Sequence, residues 1–142
     1  MKIKVKRFDK SLPLPEYEND AAGFDFFCRK SVNIPTREIE FVSVNAAVRI
    51  PRGYVLLIFL RSSMTFKKGV MLANGVGVID SFFHGDKDEI IIQLFNISDK
   101  TVSIKKGEKI AQGILIKHEK AEWEEVESLG SKGRGYKVEK EV

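Results

Sequence analysis

The sequence predicts an all-β domain, a sandwich or distorted barrel with little helix. Two observations carry this. Short apolar, β-rich segments recur along the chain with turn signals between them. No fixed-period repeat and no internal linker interrupts them.

Lys2-Ile3-Lys4-Val5-Lys6 alternates with period two and predicts a half-buried first strand. Leu12-Pro13-Leu14-Pro15 reads as loop. Phe24–Phe27 and 39–50 are β-rich again. Pro51-Arg52-Gly53 is a turn signal, followed by Tyr54–Leu60. That run has no polar face and so predicts a strand buried on both sides. Lys67-Lys68-Gly69 and Lys105-Lys106-Gly107 are turns that each precede an apolar stretch. The segments 89–96, 101–104 and 110–116 complete the series of short strands. The stretch 119–129 is ambiguous. Its Ala, Glu, Lys, Trp and Leu favour helix, with Trp123, Val126 and Leu129 three apart, but an edge strand fits as well. These elements predict one domain over 1–129 and a flexible, glycine-containing C-terminal tail over 130–142.

At 142 residues and 43% hydrophobic content the chain can bury a packed core without metal or disulfide. Its one cysteine, Cys28, cannot form an internal disulfide and lies among aromatics. It reads as a core thiol rather than a nucleophile, in a reducing compartment. No apolar run approaches the ~20 residues that span a bilayer. The expectation is a soluble, cytoplasmic protein with no membrane partner. The formal net charge of +4 permits an anionic partner. Its lysines are spread along the chain, though, without the aromatic–basic interleaving that stacks bases, so no nucleic-acid partner is expected. His84, His118 and Cys28 have no zinc-ligand spacing. P-loop and Gly-x-Ser-x-Gly patterns are missing.

Five stretches are more polar or glycine-rich than a strand core requires. Each also has a plain structural reading. Asp20-Ala21-Ala22-Gly23-Phe24-Asp25 lets backbone approach something closely, or simply turns into a strand with Asp25 exposed. Arg61-Ser62-Ser63 offers a fixed cation, two hydroxyls and free N–H groups to a phosphate, or is a polar strand exit. Asn74 carries the donor and acceptor that an amide-bearing base requires, or is a turn residue. It precedes Gly75-Val76-Gly77-Val78-Ile79-Asp80-Ser81-Phe82-Phe83-His84-Gly85, where an acid sits beside two aromatics. There Asp80 is either a turn former at a hairpin tip or an acid held for chemistry. Gly107-Glu108-Lys109-Ile110-Ala111-Gln112 is the fourth stretch, with a hairpin entry as its alternative. The glycine-rich tail with Arg134 is the fifth, with a disordered terminus as its alternative.

Taken together and in this order, the five stretches resemble the five motifs of the trimeric dUTP diphosphatases (dUTPases). AGFD resembles the first motif, usually AGYD. RSS is the second. GVIDSFFHG resembles the third, usually GVIDxxYxG. GEKIAQ resembles the fourth, usually GDRIAQ. The resemblance implies a β jelly roll and a homotrimer with sites at subunit interfaces. It also implies hydrolysis of dUTP to dUMP and diphosphate with Mg²⁺. By position, Asp80 would orient and deprotonate the attacking water and face the 3′-hydroxyl. The Phe83 ring, where the family usually has Tyr, would pack under the deoxyribose. Asn74 and the backbone of the following hairpin, Gly77, Val78 and Ile79, would pair with the uracil edge. Arg61, Ser62, Ser63 and Gln112 would meet phosphates. Asp25 would help hold the metal through water.

Three departures accompany the resemblance. Phe83 lacks a hydroxyl. The DKDE segment lengthens the chain between Gly85 and Asn96, as in phage-type members, which suggests longer strand pairing or a bulge. The fifth motif is degenerate: Arg134-Gly135 matches its start, or else Lys132-Gly133 does, with Tyr136 at the position of the phenylalanine that covers uracil. Two other functions compete with hydrolysis. One is a catalytically weakened nucleotide-binding or regulatory protein. The other is a dCTP deaminase-like relative, for which Glu89 is the nearest candidate base.

Overall fold

The computed structural model describes residues 1–130 and 133. Among these, the strands in chain order are β1 Val5–Lys6, β2 Glu16–Tyr17, β3 Phe24–Phe27, β4 Val32–Ile34, β5 Ile39–Ser43 and β6 Ala47–Val48. They continue as β7 Tyr54–Leu60, β8 Val70–Leu72, β9 Gly77–Ile79, β10 Ile91–Asn96, β11 Val102–Ile104 and β12 Lys109–Lys117. The largest sheet has the order β2-β3-β12-β7-β9 and is antiparallel throughout. A second sheet, β5-β10-β8, and the pairs β1-β6 and β11-β4 supply the other walls of a jelly roll. Phe26, Leu56 and Ile58 from the first sheet meet Val42, Val70 and Leu94 from the second, with Ile34 and Ile104 alongside. Leu56 is fully buried, so truncating such a side chain to alanine costs roughly 2–5 kcal/mol.

Several expectations need correction. The first strand shrinks to Val5–Lys6, because its partner β6 is equally short; Val5 is exposed and Ile3 half-buried. The 39–50 stretch breaks between β5 and β6, where Asn45 takes a left-handed backbone (φ 61°). That buried side chain accepts the N–H groups of Phe8 and Asp9 at 3.1 and 2.7 Å and so ties the N-terminal loop to the core. The strands β2 and β4 and the wide helical turn Met64–Lys68 carry no clear signal, whereas β8 is the apolar stretch after Lys67-Lys68-Gly69. Gly69 closes that turn in a left-handed conformation (φ 73°) that a side chain would strain. The DKDE segment forms neither longer pairing nor a bulge. It closes a turn in which the Gly85 N–H donates to Asp88 at 2.7 Å, before β10 begins at Ile91. From Glu119 to Leu129 the chain is neither helix nor strand, and every residue is exposed.

Within one chain β7 is buried on one face only, where its run without a polar face predicts burial on both. Leu56 and Ile58 are buried, while Val55, Leu57 and Phe59 are half-buried on the opposite face. Register places Ile114 and Val78 beside Leu57, and Ile116 beside Val55. The outer face of the largest sheet therefore carries a continuous apolar strip, along which Val78 is 65% exposed. Two-sided burial of this strand requires something outside the chain to cover that strip.

Candidate active site

Asp25, Arg61 and Gln112 come together at one end of the largest sheet. Gln112 sits on β12 between Asp25 on β3 and Phe59 on β7. A register shift between Lys109 and Ala111 lets the adjacent Ile110 and Ala111 both face the core. Bulges of this kind re-aim neighbouring side chains at sites. Gly23 makes the approach possible, since a Cβ there would lie 2.9 Å from Oε1 of Gln112.

Asp25 is buried, contrary to the plain reading of its motif. Its Oδ1 lies 3.2 Å from Nε of Arg61, and its Oδ2 lies 3.2 Å from Nζ of Lys109. Lys109 also pairs with Glu16 at 3.1 Å. Glu16 first, then Asp25, hold the Lys109 ammonium above its ordinary range, so it stays charged. Together Glu18, Ala21, Gly23, Asp25, Arg61, Ser62, Ser63 and Gln112 line a cleft of 270 Å³. Its fixed cation, hydroxyls and amide suit a chain of phosphates. Glu18 and Lys109 were missed in the sequence. Glu18 follows β2, a two-residue strand without a sequence signal, and Lys109 meets Asp25 only by pairing across strands.

Asp80 stands at the other end of the same sheet. It follows β9, which among the described residues is an edge strand with one unpaired row of backbone groups. Asn74 and Gly75 turn the chain from one sheet into the other, so β8 and β9 do not pair and the expected hairpin is a crossover. Gly77 is needed for packing, because a Cβ there would come within 3.0 Å of Ile58 Cβ. Asp80 is exposed, and its Oδ1 accepts the Phe82 N–H at 2.8 Å. It is thus a turn former whose second oxygen has no partner among the described residues. Phe83, next to this turn, is 38% exposed.

The two halves share one face but do not meet. Register pairs Ile79 with Leu56, which sets Asp80 level with Val55, while Arg61 follows the far end of β7. At ~3.3 Å per residue the separation along the strand is roughly 20 Å, several times hydrogen-bond reach. The apolar strip lies between them.

Other candidates resolve plainly. Glu89 is buried and bound by both oxygens to Arg29, at 2.7 Å each, and it also accepts the Asn45 N–H at 3.0 Å. A carboxylate so engaged is a structural anchor rather than a base. Cys28 is fully buried, and burial pushes its thiol up to about 11, consistent with a core thiol. Arg134 and Tyr136 lie outside the described residues. Among the described residues no group of three or more His, Cys, Asp or Glu could by itself hold a metal ion, and no helix is long and apolar enough to cross a membrane.

The dUTPase family profile matches residues 9–140. The deoxyuridine 5′-triphosphate nucleotidohydrolase of Wolinella succinogenes is 37% identical over 136 residues, covering 95% of this chain and 89% of the relative. That of a Hydrogenobaculum species is 39% identical, covering 94% and 92%. Among solved structures, a dUTPase from Streptococcus mutans superposes with a TM-score of 0.78 at 30% identity, covering 87% of this chain and all of that one. A dUTPase of Staphylococcus bacteriophage 80alpha, solved with dUpNHpp, superposes at 0.83 and 26% identity, covering 96% and 95%.

Proposed function

The chain belongs to the dUTPase family, and from that premise we infer that it hydrolyses dUTP to dUMP and diphosphate at sites formed between copies in a homotrimer. One observation carries the assembly: Asp80 and the Asp25–Arg61–Gln112 cleft occupy opposite ends of one sheet face, with an uncovered apolar strip between them. Packing that face against a second copy buries the strip and brings the acid of one chain to the cleft of the next. The single domain spans 1–129, and the reaction uses a free nucleotide of the cytoplasm.

Arg61, Ser62, Ser63 and Gln112 of one copy hold the triphosphate. Across the interface Asp80 takes a proton from water, and the water oxygen bonds to the α-phosphorus. The bond from that phosphorus to the bridging oxygen breaks, and diphosphate leaves with the electron pair. The turn bond from Phe82 fixes the Asp80 carboxyl and leaves its second oxygen for the water. Phe83 forms the sugar floor, where a 2′-hydroxyl has no room. Asn74 and the free edge of Gly77, Val78 and Ile79 read the uracil. A C5 methyl group is rejected sterically, and cytosine leaves polar groups unpaired. Arg134 and Tyr136 belong to the tail that closes over the nucleotide.

The donor set fits Mg²⁺, which keeps most of its waters and takes one or two carboxylates plus phosphates. Asp25 already pairs with two cations, so it suits a water-mediated contact rather than direct ligation, and Glu18 faces the same cleft. When bound, the ion neutralises phosphate charge.

Incubation with dUTP, dCTP and dTTP in Mg²⁺, with diphosphate and ammonia measured, tests the reading. Diphosphate from dUTP alone is expected. Ammonia from dCTP, or tight dUTP binding without product, overturns it.

A further inference from the structure

Asp80 and Phe83 stand on a loop that no strand holds. Among the described residues it runs from the end of β9 at Ile79 to the start of β10 at Ile91, and Asp80, Phe82, Phe83 and His84 are all exposed. Fixing free backbone costs entropy at every residue, so a loop ordered only on binding would weaken both affinity and discrimination. On one side of Phe83 the loop is closed by Asp80, whose Oδ1 accepts the Phe82 N–H at 2.8 Å. The Phe83 N–H also donates to the Asp80 carbonyl, at 3.4 Å.

The other side is closed by a second carboxylate. Oδ2 of Asp88 accepts the Gly85 N–H at 2.7 Å, and the Asp88 N–H donates back to the Gly85 carbonyl at 3.0 Å. A Cβ on Gly85 would lie 2.8 Å from that same Oδ2. Gly85 is not in the left-handed backbone region, so glycine is needed here to admit the carboxylate rather than to make the turn. Among the described residues no cation pairs with Asp88, which leaves its charge to the Gly85 N–H. The turn is itself anchored twice. Nζ of Lys6 donates to the Asp86 carbonyl at 2.8 Å, and the residue after Asp88, Glu89, is buried on Arg29. Phe83 therefore lies between two turns, each closed by an acid, and the second is joined to the buried frame through Glu89.

We propose that Asp88 is a positioning residue for sugar selection: through Gly85 it holds the Phe83 ring in place, and so sets how strongly a 2′-hydroxyl is rejected. Asp88 acts through the ring and not on the nucleotide. Steric discrimination needs a wall that does not yield, and a ring that can drift makes room for a ribose. With the second turn open, Phe83 is held from the Asp80 side alone. A purely structural role for Asp88 would change stability and leave the ratio of dUTP to UTP turnover untouched, because both nucleotides meet the same folded protein. The proposal rests on the reading of Phe83 as the sugar floor of a dUTP-hydrolysing site, and it adds the group that fixes that floor.

Diphosphate release from dUTP and from UTP, measured in Mg²⁺ on the full chain, tests it, with urea midpoints to follow folding. Asp88→Ala should lower the kcat/KM preference for dUTP over UTP by about tenfold. Gly85→Ala, which pushes the carboxylate away, should do the same, and the double variant Gly85→Ala/Asp88→Ala should be no less selective than either alone. Asp88→Asn should keep most of the preference, because its amide oxygen can still accept the Gly85 N–H. In a Phe83→Ala chain, which has already lost the floor, Asp88→Ala should change the ratio little. Should Asp88→Ala fail to fold, the Gly85→Ala and Asp88→Asn ratios decide alone. If the alanine variants discriminate like wild type, or if Asp88→Asn is as unselective as they are, the positioning role falls while the dUTP reading stands. A wild-type chain that hydrolyses neither nucleotide, or both alike, overturns that reading and the proposal together.

Discussion

Nε of Arg61 lies 3.2 Å from Oδ1 of Asp25, while the Lys109 ammonium holds the other oxygen of the same carboxylate at 3.2 Å. One buried acid thus fixes the Arg61 guanidinium, with Lys109 bracing the carboxylate from the far side. Replacing Asp25 by Asn leaves Arg61 without its counter-charge and Lys109 paired only with Glu16. The expected cost is about 1–3 kcal/mol in urea denaturation, with a larger fall in kcat/KM than in stability. Lys109→Met should lower kcat/KM by less than about tenfold, because Arg61 still holds Asp25. Steady-state kinetics on the two variants should rank them in that order; the reverse ranking would move the positioning role from Asp25 to Lys109.

Asp80→Asn separates chemistry from folding. The amide oxygen can still accept the Phe82 N–H, so the turn survives. It cannot take a proton from water. Diphosphate release should fall by about 10²–10⁴-fold, with binding of a non-hydrolysable dUTP analogue within a few-fold of wild type by calorimetry. Wild-type turnover would remove Asp80 from the base role.

Complementation tests the split site. Asp80→Asn and Arg61→Ala homotrimers should each be nearly inactive. Refolded together in equal amounts, they should recover about a quarter of wild-type activity, because each site draws Asp80 from one copy and Arg61 from another. Mixtures as inactive as the parents would mean that both groups act within one chain.

Cys28 should tie stability to alkaline pH. Its pKa is raised from 9.0 to about 11 chiefly by burial, so the folded state keeps a proton that the unfolded state loses first. Its contribution is therefore fully present below about pH 9 and is lost as pH rises toward 11. Urea midpoints at pH 8 and 10.5 should differ more for wild type than for Cys28→Ala. Iodoacetamide should label the thiol only in unfolded chains; rapid labelling of the native protein would contradict its burial.

The sequence by itself determined the chemistry: the AGFD, RSS, GVIDSFFHG and GEKIAQ stretches carry the acid, cation, hydroxyl and amide types that a nucleotide triphosphate calls for. It also determined the β character, since short apolar runs between turn signals have few other ways to bury themselves. It was silent on partners across strands. Lys109 reads as a surface charge until register sets it on Asp25, and Glu89 reads as a free acid until Arg29 closes on it. It also misjudged β7, because a strand apolar on both faces does not say whether its second cover comes from the same chain. Only the tertiary structure set Asp80 and Arg61 at opposite ends of one sheet face, several times hydrogen-bond reach apart. The physical reason is that strand register and sheet order are long-range pairings, and local residue types do not encode the distance between two ends of a sheet.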